Sequence, residues 1–525
     1  MATLAPDVKI SASQHTSGNR FNALWVQLEL GQTPRLTALS IVAILASVGT
    51  PHDSEENADT AVMHGSRSNI RRQSMELEAA RPAARRQSRN TRFGQRVGAS
   101  AIAAAVLALG AGSAHAYDIT TSPYLTGDWG GLRTRLAEQG VTFNLGYGSE
   151  VAHNFSGGTE HLTRYTDQWV IGTALDLQKL VGWQGATFQA TVTDRNGRNL
   201  GSDANIGNNM LIQEVYGRGQ TWHLTQFWLN QKLLNDRLEI KAGRVTVGED
   251  FFSFSCDFQN LTFCGSQPGN LVGGYWVNWP TSQWGARAKV HTSAETYAQI
   301  GVYQVNPNYV DDGWARRNGW KLNNPGGTTG ALIPLEFGWM PTIEGRPGTY
   351  RAGVWYNTSN GKDLYEDVNG NARGITGLDA KQRSGQYGVY LNLQQQITGA
   401  PDGRGATVFL NFSQADRNTA QTDHQISVGV QYKGPFDRLA DTIGFAVGAT
   451  HNNGRYADFV RQTNARTGAN TVVGDGYEYV SELYYSWSPV KSVYFRPNLQ
   501  YILHPGGTSQ NKNAFVVGLK TGVTF

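Results

Sequence analysis

The sequence predicts an all-β protein, a transmembrane antiparallel β-barrel of about 16 strands preceded by a short periplasmic helix. Three observations carry this expectation. Apolar and polar residues alternate over sixteen segments, the connections between segments run long and short by turns, and a secretory leader precedes the whole.

Composition narrows the class first. Of the 525 residues 62 are Gly, 11% are aromatic and 16% are charged; soluble domains carry nearer a quarter charged residues. A mean hydropathy of −0.41 speaks against a bundle of membrane helices, each of which needs about 20 consecutive apolar residues. Such runs are missing after residue 116.

The apolar run at residues 97–116 follows Arg81, Arg85, Arg86, Arg89, Arg92 and Arg96 and ends in Ala114-His115-Ala116. A basic stretch, a short apolar stretch and a small-x-small triplet make a signal peptide, assigned to residues 75–116 and cleaved before Tyr117. A single membrane anchor is the alternative reading. Residues 1–74 are read as an unstructured leader or a mis-assigned start, with Met75 or Met63 as the working start. The leader to residue 116 holds 12 of the 45 basic and 8 of the 41 acidic residues, so 33 of each remain. The basic balance of the full chain therefore belongs to the leader, and nucleic acid is not an expected partner.

Residues 117–140 form the periplasmic segment, with a short amphipathic helix at 132–138 entered through Asp128 and two glycines. From 141 to 525 period-two alternation marks strands at 141–151, 164–177, 185–194, 221–233, 237–245, 284–291, 295–304 and 334–340. Eight more follow at 350–357, 385–396, 405–413, 424–433, 441–451, 476–487, 492–503 and 513–525. Ile426, Val428, Val430 and Tyr432 alternate with Ser427, Gly429, Gln431 and Lys433, so one face is apolar and the other small or polar.

A soluble sandwich would share that alternation. The connections decide: 195–220 is followed by 234–236, 246–283 by 292–294, and 452–475 by 488–491. Bacterial barrels have long outer loops and tight periplasmic turns. Tyr477, Tyr479, Tyr485 and Trp487 flank Leu483 on one face of their strand, as interfacial rings flank an apolar band. In the last strand Phe515, Val517, Leu519, Val523 and Phe525 share a face, and a terminal aromatic of this kind is what outer-membrane assembly machinery is expected to read. Cys256 and Cys264 lie eight apart in the longest connection. Outside the inner membrane a disulfide pinning that loop is expected, free thiols being the alternative.

The stretch Leu125-Thr126-Gly127-Asp128-Trp129-Gly130-Gly131-Leu132-Arg133 resembles the opening of the carbohydrate-selective porin (OprB) family. Lys241-Ala242-Gly243-Arg244, Phe258-Gln259-Asn260-Leu261 with Cys264, and Gln283-Trp284-Gly285-Ala286 extend the resemblance over essentially all of 117–525. It implies a sixteen-stranded barrel in the Gram-negative outer membrane and passive diffusion of glucose-like sugars through a constricted pore that contains arginine.

A barrel of about 16 strands holds an aqueous channel unless a loop folds in. The connection at 246–283, with Phe251, Phe252, Trp276 and Trp279, is expected to narrow it, ring faces suiting the C–H faces of a pyranose. Alternation turns Glu150, Gln189, Glu239, Lys241, Arg287, Lys289, Arg351, Asn392, Gln394, Gln431, Glu478, Glu482 and Arg496 into the lumen. Both charge signs occur in similar number, which favours a neutral, hydroxyl-rich solute over ions of one sign. Arg244 and Arg287 are the first candidates for sugar contacts because a guanidinium offers several fixed donors. Lys289, Trp276, Trp279, Arg496, Glu478, Asp194 and Arg195 complete the candidate pore lining; mutual pairing of lumen residues is the alternative for each.

A general porin, or one for anions or amino acids, shares the architecture and is the alternative function. A barrel hydrolase would need an outward Ser/His pair, which is not evident, so no enzymatic activity is expected. An energised transporter would need a plug and 22 strands. No phosphate-cradling loop or metal-ligand spacing appears, His153, His161, His223 and His291 being scattered, and no cofactor is expected. The expected partners are small neutral sugars, outer-membrane lipid and the assembly machinery, with monomer and homotrimer both open.

Overall fold

The computed structural model describes residues 118–400 and 403–525, together with three short strands nearer the start. Those three, Val8–His15, Ala23–Leu30 and Ser40–Ile44, pair antiparallel in sequence order within a unit of their own, where the sequence reading expects an unstructured leader. The signal-peptide assignment at 75–116 lies outside the described residues.

From Val141 onward, alternation becomes a closed antiparallel barrel. The first half comprises β1 (Val141–Asn154), β2 (Thr163–Asp176), β3 (Ala186–Gly197), β4 (Trp222–Leu233), β5 (Leu238–Val245), β6 (Gln283–His291), β7 (Thr296–Val305) and β8 (Gly330–Trp339). The second comprises β9 (Arg346–Asn357), β10 (Gln386–Gln396), β11 (Gly405–Ala415), β12 (Thr422–Lys433), β13 (Thr442–Asn452), β14 (Tyr477–Val490), β15 (Val493–Leu503) and β16 (Ala514–Thr524). Each pairs with its sequence neighbours, and β16 closes on β1 in the register Lys520↔Glu150. Closure satisfies the backbone groups that an open edge would leave bare in hydrocarbon. All sixteen expected strands have their counterpart.

Which face is dry follows from the side chains. On β15 Leu499 is 45% exposed and its neighbour Gln500 0%; on β12 Val428 is 45% exposed and Ser427 1%. The apolar side chains point outward and the polar ones are enclosed, the reverse of a soluble core and the arrangement a bilayer requires. Outward rings include Tyr479 and Trp487 on β14, with Leu483 between them.

Connections after odd-numbered strands are the long ones, with two exceptions: 155–162, between β1 and β2, is shorter than the following connection at 177–185, and 416–421, between β11 and β12, is shorter than the following turn at 434–441. The strict alternation expected from sequence therefore fails there. Two long loops carry structure of their own. A hairpin of Gly361–Asp367 and Ala380–Arg383 lies between β9 and β10, and a helix, Gly454–Thr467, lies between β13 and β14.

Ahead of the barrel, α1 (Leu132–Glu138) sits at the end opposite the long loops. Gly127, Trp129, Gly130 and Gly131 all have positive φ and make the sharp entry. The Asp128 carboxylate accepts from Thr134 N at 2.8 Å. Arg133 is sandwiched by Tyr124 and Trp129, 3.5 and 4.5 Å from the ring centroids, and donates to Phe525 O at 2.7 Å. The LTGDWGGLR stretch thus ties the start of the barrel to its last strand.

Candidate functional site

Two loops fold inward from the long-loop end. The 246–282 connection crosses the lumen and is bound to the wall on several sides. Lys241 Nζ of β5 meets Asp250 Oδ1 at 2.7 Å, and Phe252 N donates to Glu336 of β8 at 2.8 Å. Gln259 N and Asn260 N each donate to Glu482 of β14 at 2.8 Å, and Lys520 Nζ of β16 donates to Cys256 O at 2.8 Å. Cys256 and Cys264 are joined by a disulfide, which closes the part of the loop nearest β14–β16. Phe251, Phe252, Phe258, Phe263 and Trp276 are buried and form two apolar clusters between loop and wall. A loop held both by ring packing and by charge-assisted hydrogen bonds is a fixed constriction.

The 198–221 connection, which sequence reasoning treated as an ordinary outer loop, also enters. Asn209 N donates to Glu478 of β14 at 2.7 Å, Val215 N to Glu150 of β1 at 3.2 Å, and Glu214 meets Lys520 at 2.7 Å. The two loops bond to each other through Glu214 N to Gln259 O and Leu261 N to Leu211 O, both 2.9 Å. The Asn- and Gly-rich stretch 205–209, in which Ile206 is the one apolar residue, carries no periodicity that would announce this path.

Between these loops and the wall lies a cavity of about 450 Å³, lined among others by Arg195, Glu214, Tyr216, Arg218, Asn270 and Trp279. That volume falls within the roughly 300–1,000 Å³ of small-molecule sites. Arg195 Nε and Trp279 Nε1 both donate to Gln168 Oε1 of β2, at 2.8 and 2.9 Å, so one amide fixes a guanidinium and an indole. Arg218 Nη2 donates to Gly273 O at 3.2 Å; burial lowers its pKa and Asp312 counters that.

The remaining sequence candidates are placed as follows. Arg244 is enclosed, donating to Ser282 O at 2.9 Å with Tyr309 4.8 Å away. Arg287 lies in the lumen wall, 3.3 Å from Glu239 and 3.6 Å from Asp250. Lys289 covers the Tyr297 ring at 4.5 Å. Trp276 is fully buried against Trp355 and Tyr390, its Nε1 donating to Ser266 Oγ, so it packs the loop. Glu478 accepts from Asn209, Met210 and Gly506 N–H groups. Arg496 meets Asp257 at 3.3 Å and lies over Tyr484 and Tyr494. Asp194 pairs in register with Trp169 and Trp222, both outward, so it stands on the face opposite Arg195. Only Arg195 and Trp279 of these candidates share the cavity. Sequence reasoning missed Glu214, Arg218 and Asn270, all on loops without periodicity.

Charges inside are paired rather than aligned. Asp250 sits between Lys241 and Arg287, Glu214 between Lys520 and Arg195, and Asp257 against Arg496. Burial would raise the Asp257 carboxyl, but Arg496 and the Gln431 amide hold it below its ordinary value. Burial pushes Glu249, beside Gln226, up to about 7.

The profile of the "Carbohydrate-selective porin, OprB family" matches residues 160–525. Porin B of Pseudomonas aeruginosa is 43% identical over 438 residues, covering 80% of this chain and 95% of that one. A putative porin, QuiX, of Acinetobacter baylyi is 33% identical over 429 residues, 77% of this chain and 93% of its own. The high-pH structure of Pseudomonas putida OprB is similar with a TM-score of 0.74 at 44% identity, over 77% of this chain and 99% of that one. With inward polar and outward apolar faces, an internally folded loop, and these relatives, the chain belongs to the carbohydrate-selective porin (OprB) family of the Gram-negative outer membrane.

Proposed function

We infer that the barrel lets small neutral carbohydrates diffuse passively across the outer membrane, and that they pause in the cavity beside Trp279. The observation that carries the reading is the grouping there of an indole, two guanidiniums, two carboxylates and two carboxamides from four stretches of chain, Asp312 being the second carboxylate and Asn278 the second carboxamide. Hydroxyls need donors and acceptors in close alternation, and a pyranose also presents C–H faces to a ring. Neighbouring charges are matched, so ions of one sign gain little.

Swelling of liposomes carrying the purified barrel tests this. Glucose and similar sugars are expected to enter faster than anionic or zwitterionic solutes of the same size. Equal entry of all solutes would make this a general pore, and faster anion entry would make it an anion channel.

A further inference from the structure

His424 and His451 are register partners across β12 and β13, and their rings stack with 4.5 Å between centroids and 17° between planes. The register of β12 shifts between Thr422 and His424, leaving Asp423 as an extra residue. A bulge turns a side chain out of strict alternation, and here it brings Asp423 to the same point as the histidines. Asp423 Oδ1 lies 2.9 Å from His424 Nδ1 and 2.7 Å from His451 Nδ1. One ligand atom from each of the three residues lies within 4.8 Å of the others. The carboxylate is buried, whereas the two imidazoles keep 25% and 16% of their side-chain surface open.

We propose that Asp423, His424 and His451 bind one divalent transition-metal ion at the long-loop rim of the barrel, Cu²⁺ most tightly. Two imidazole nitrogens and a carboxylate oxygen suit borderline divalent ions. Metal bonds of ~2.0–2.2 Å place ligands ~2.8–3.1 Å apart at right angles and ~3.3 Å or more apart at tetrahedral angles. The nitrogen–oxygen separations here, hydrogen bonds of 2.9 and 2.7 Å, are nearer the right-angled case than the tetrahedral one; right angles are the tetragonal preference of Cu²⁺ and Ni²⁺, and Cu²⁺ leads the affinity order.

Both Nδ1–H groups now point at one carboxylate oxygen. With an ion between them the imidazoles stay neutral by carrying their proton on Nε2, and Tyr477 OH, 2.9 Å from His424 Nε2, accepts it. Arg417 Nε, 2.8 Å from Asp423 Oδ2, holds the carboxylate from behind. Both histidines follow the outward parity of Ile426 and Val447, so the site is outside the lumen and does not depend on the sugar reading. A sequence scan for short ligand spacing passes over it, because it is the strand register that unites residues 424 and 451.

The test is calorimetric titration of tag-free barrel in detergent, stripped with EDTA, with Cu²⁺, Ni²⁺ and Zn²⁺ in turn, joined to electron paramagnetic resonance of the Cu²⁺ form. One Cu²⁺ per barrel is expected, with hyperfine structure from two imidazole nitrogens. H424A and H451A should each abolish binding, and Y477F should weaken it by roughly 10-fold, the usual effect of removing an outer-shell partner. Retained heat-modifiable migration shows that each variant is still a barrel, and sugar entry should not change. Saturable binding that survives in the H424A/H451A double variant, a spectrum without imidazole nitrogens, or no binding by folded wild-type protein would each overturn the proposal.

Discussion

Trp276 and Trp279 are three residues apart and do different things. Trp276 is enclosed by Trp355 and Tyr390, so replacing it with Ala opens a void in the loop core and should cost about 3–5 kcal/mol of barrel stability. Trp279 stands at the cavity, and W279A should leave the melting temperature nearly unchanged. It should weaken glucose block of the channel by about 2–10-fold, as losing a ring contact of ~0.5–1.5 kcal/mol implies. Thermal migration shifts on gels and current-block titrations separate the two effects. Gly243, in the Lys241–Arg244 stretch, has φ 141°, and a Cβ there would meet Phe227 O at 2.2 Å. G243A should therefore destabilise the barrel by about 1–3 kcal/mol, read from the same gel shift. Alternation correctly placed Arg287 and Lys241 inward. It could not show that Asp250 would occupy the space between them, because that depends on the path of a loop with no period.

At the scale of elements, the loops that build the constriction and the outer rim are the parts the sequence expressed least. Strands declare themselves through a period of two, whereas the inward turn of 198–221 depends on Glu150 and Glu478 accepting backbone N–H groups from far along the chain. Removing the Asp250 carboxylate as D250N should leave Lys241 and Arg287 with surplus positive charge and shift reversal potentials toward anion preference. An unchanged reversal potential would mean that ions do not pass this loop. At the rim, Asp363 joins the 361–383 hairpin to the 454–467 helix, accepting from Arg383 Nε at 2.6 Å and Arg455 Nη2 at 2.9 Å. Burial alone would raise its pKa, but Glu366 and Tyr365 N–H groups and the two arginines lower it from 3.8 to about 2. A lowered carboxyl stabilises above its ordinary value and stops doing so as pH falls through its folded one. The clamp should hold at neutral pH and loosen between pH ~4 and ~2. D363N should make the loops accessible to protease at pH 7; equal cleavage of variant and wild type would rule out the clamp.

For the whole molecule, one inversion governs the rest: Leu499 outward and Gln500 inward, repeated around a closed ring. This was legible in the sequence because side-chain direction in a strand is set by parity alone. That the 246–283 connection narrows the ring was expected from its length and its rings; the entry of 198–221 and the partners that fix both loops were not legible, because they rest on long-range contacts such as Lys520 with Glu214. The measurement closest to the central claim is single-channel current through the purified barrel in a planar bilayer while glucose is titrated. Open-channel current that glucose blocks saturably is expected, with the block weakened in W279A and in R195A. Absence of conductance, or a current indifferent to glucose and responsive to charged solutes, would contradict it.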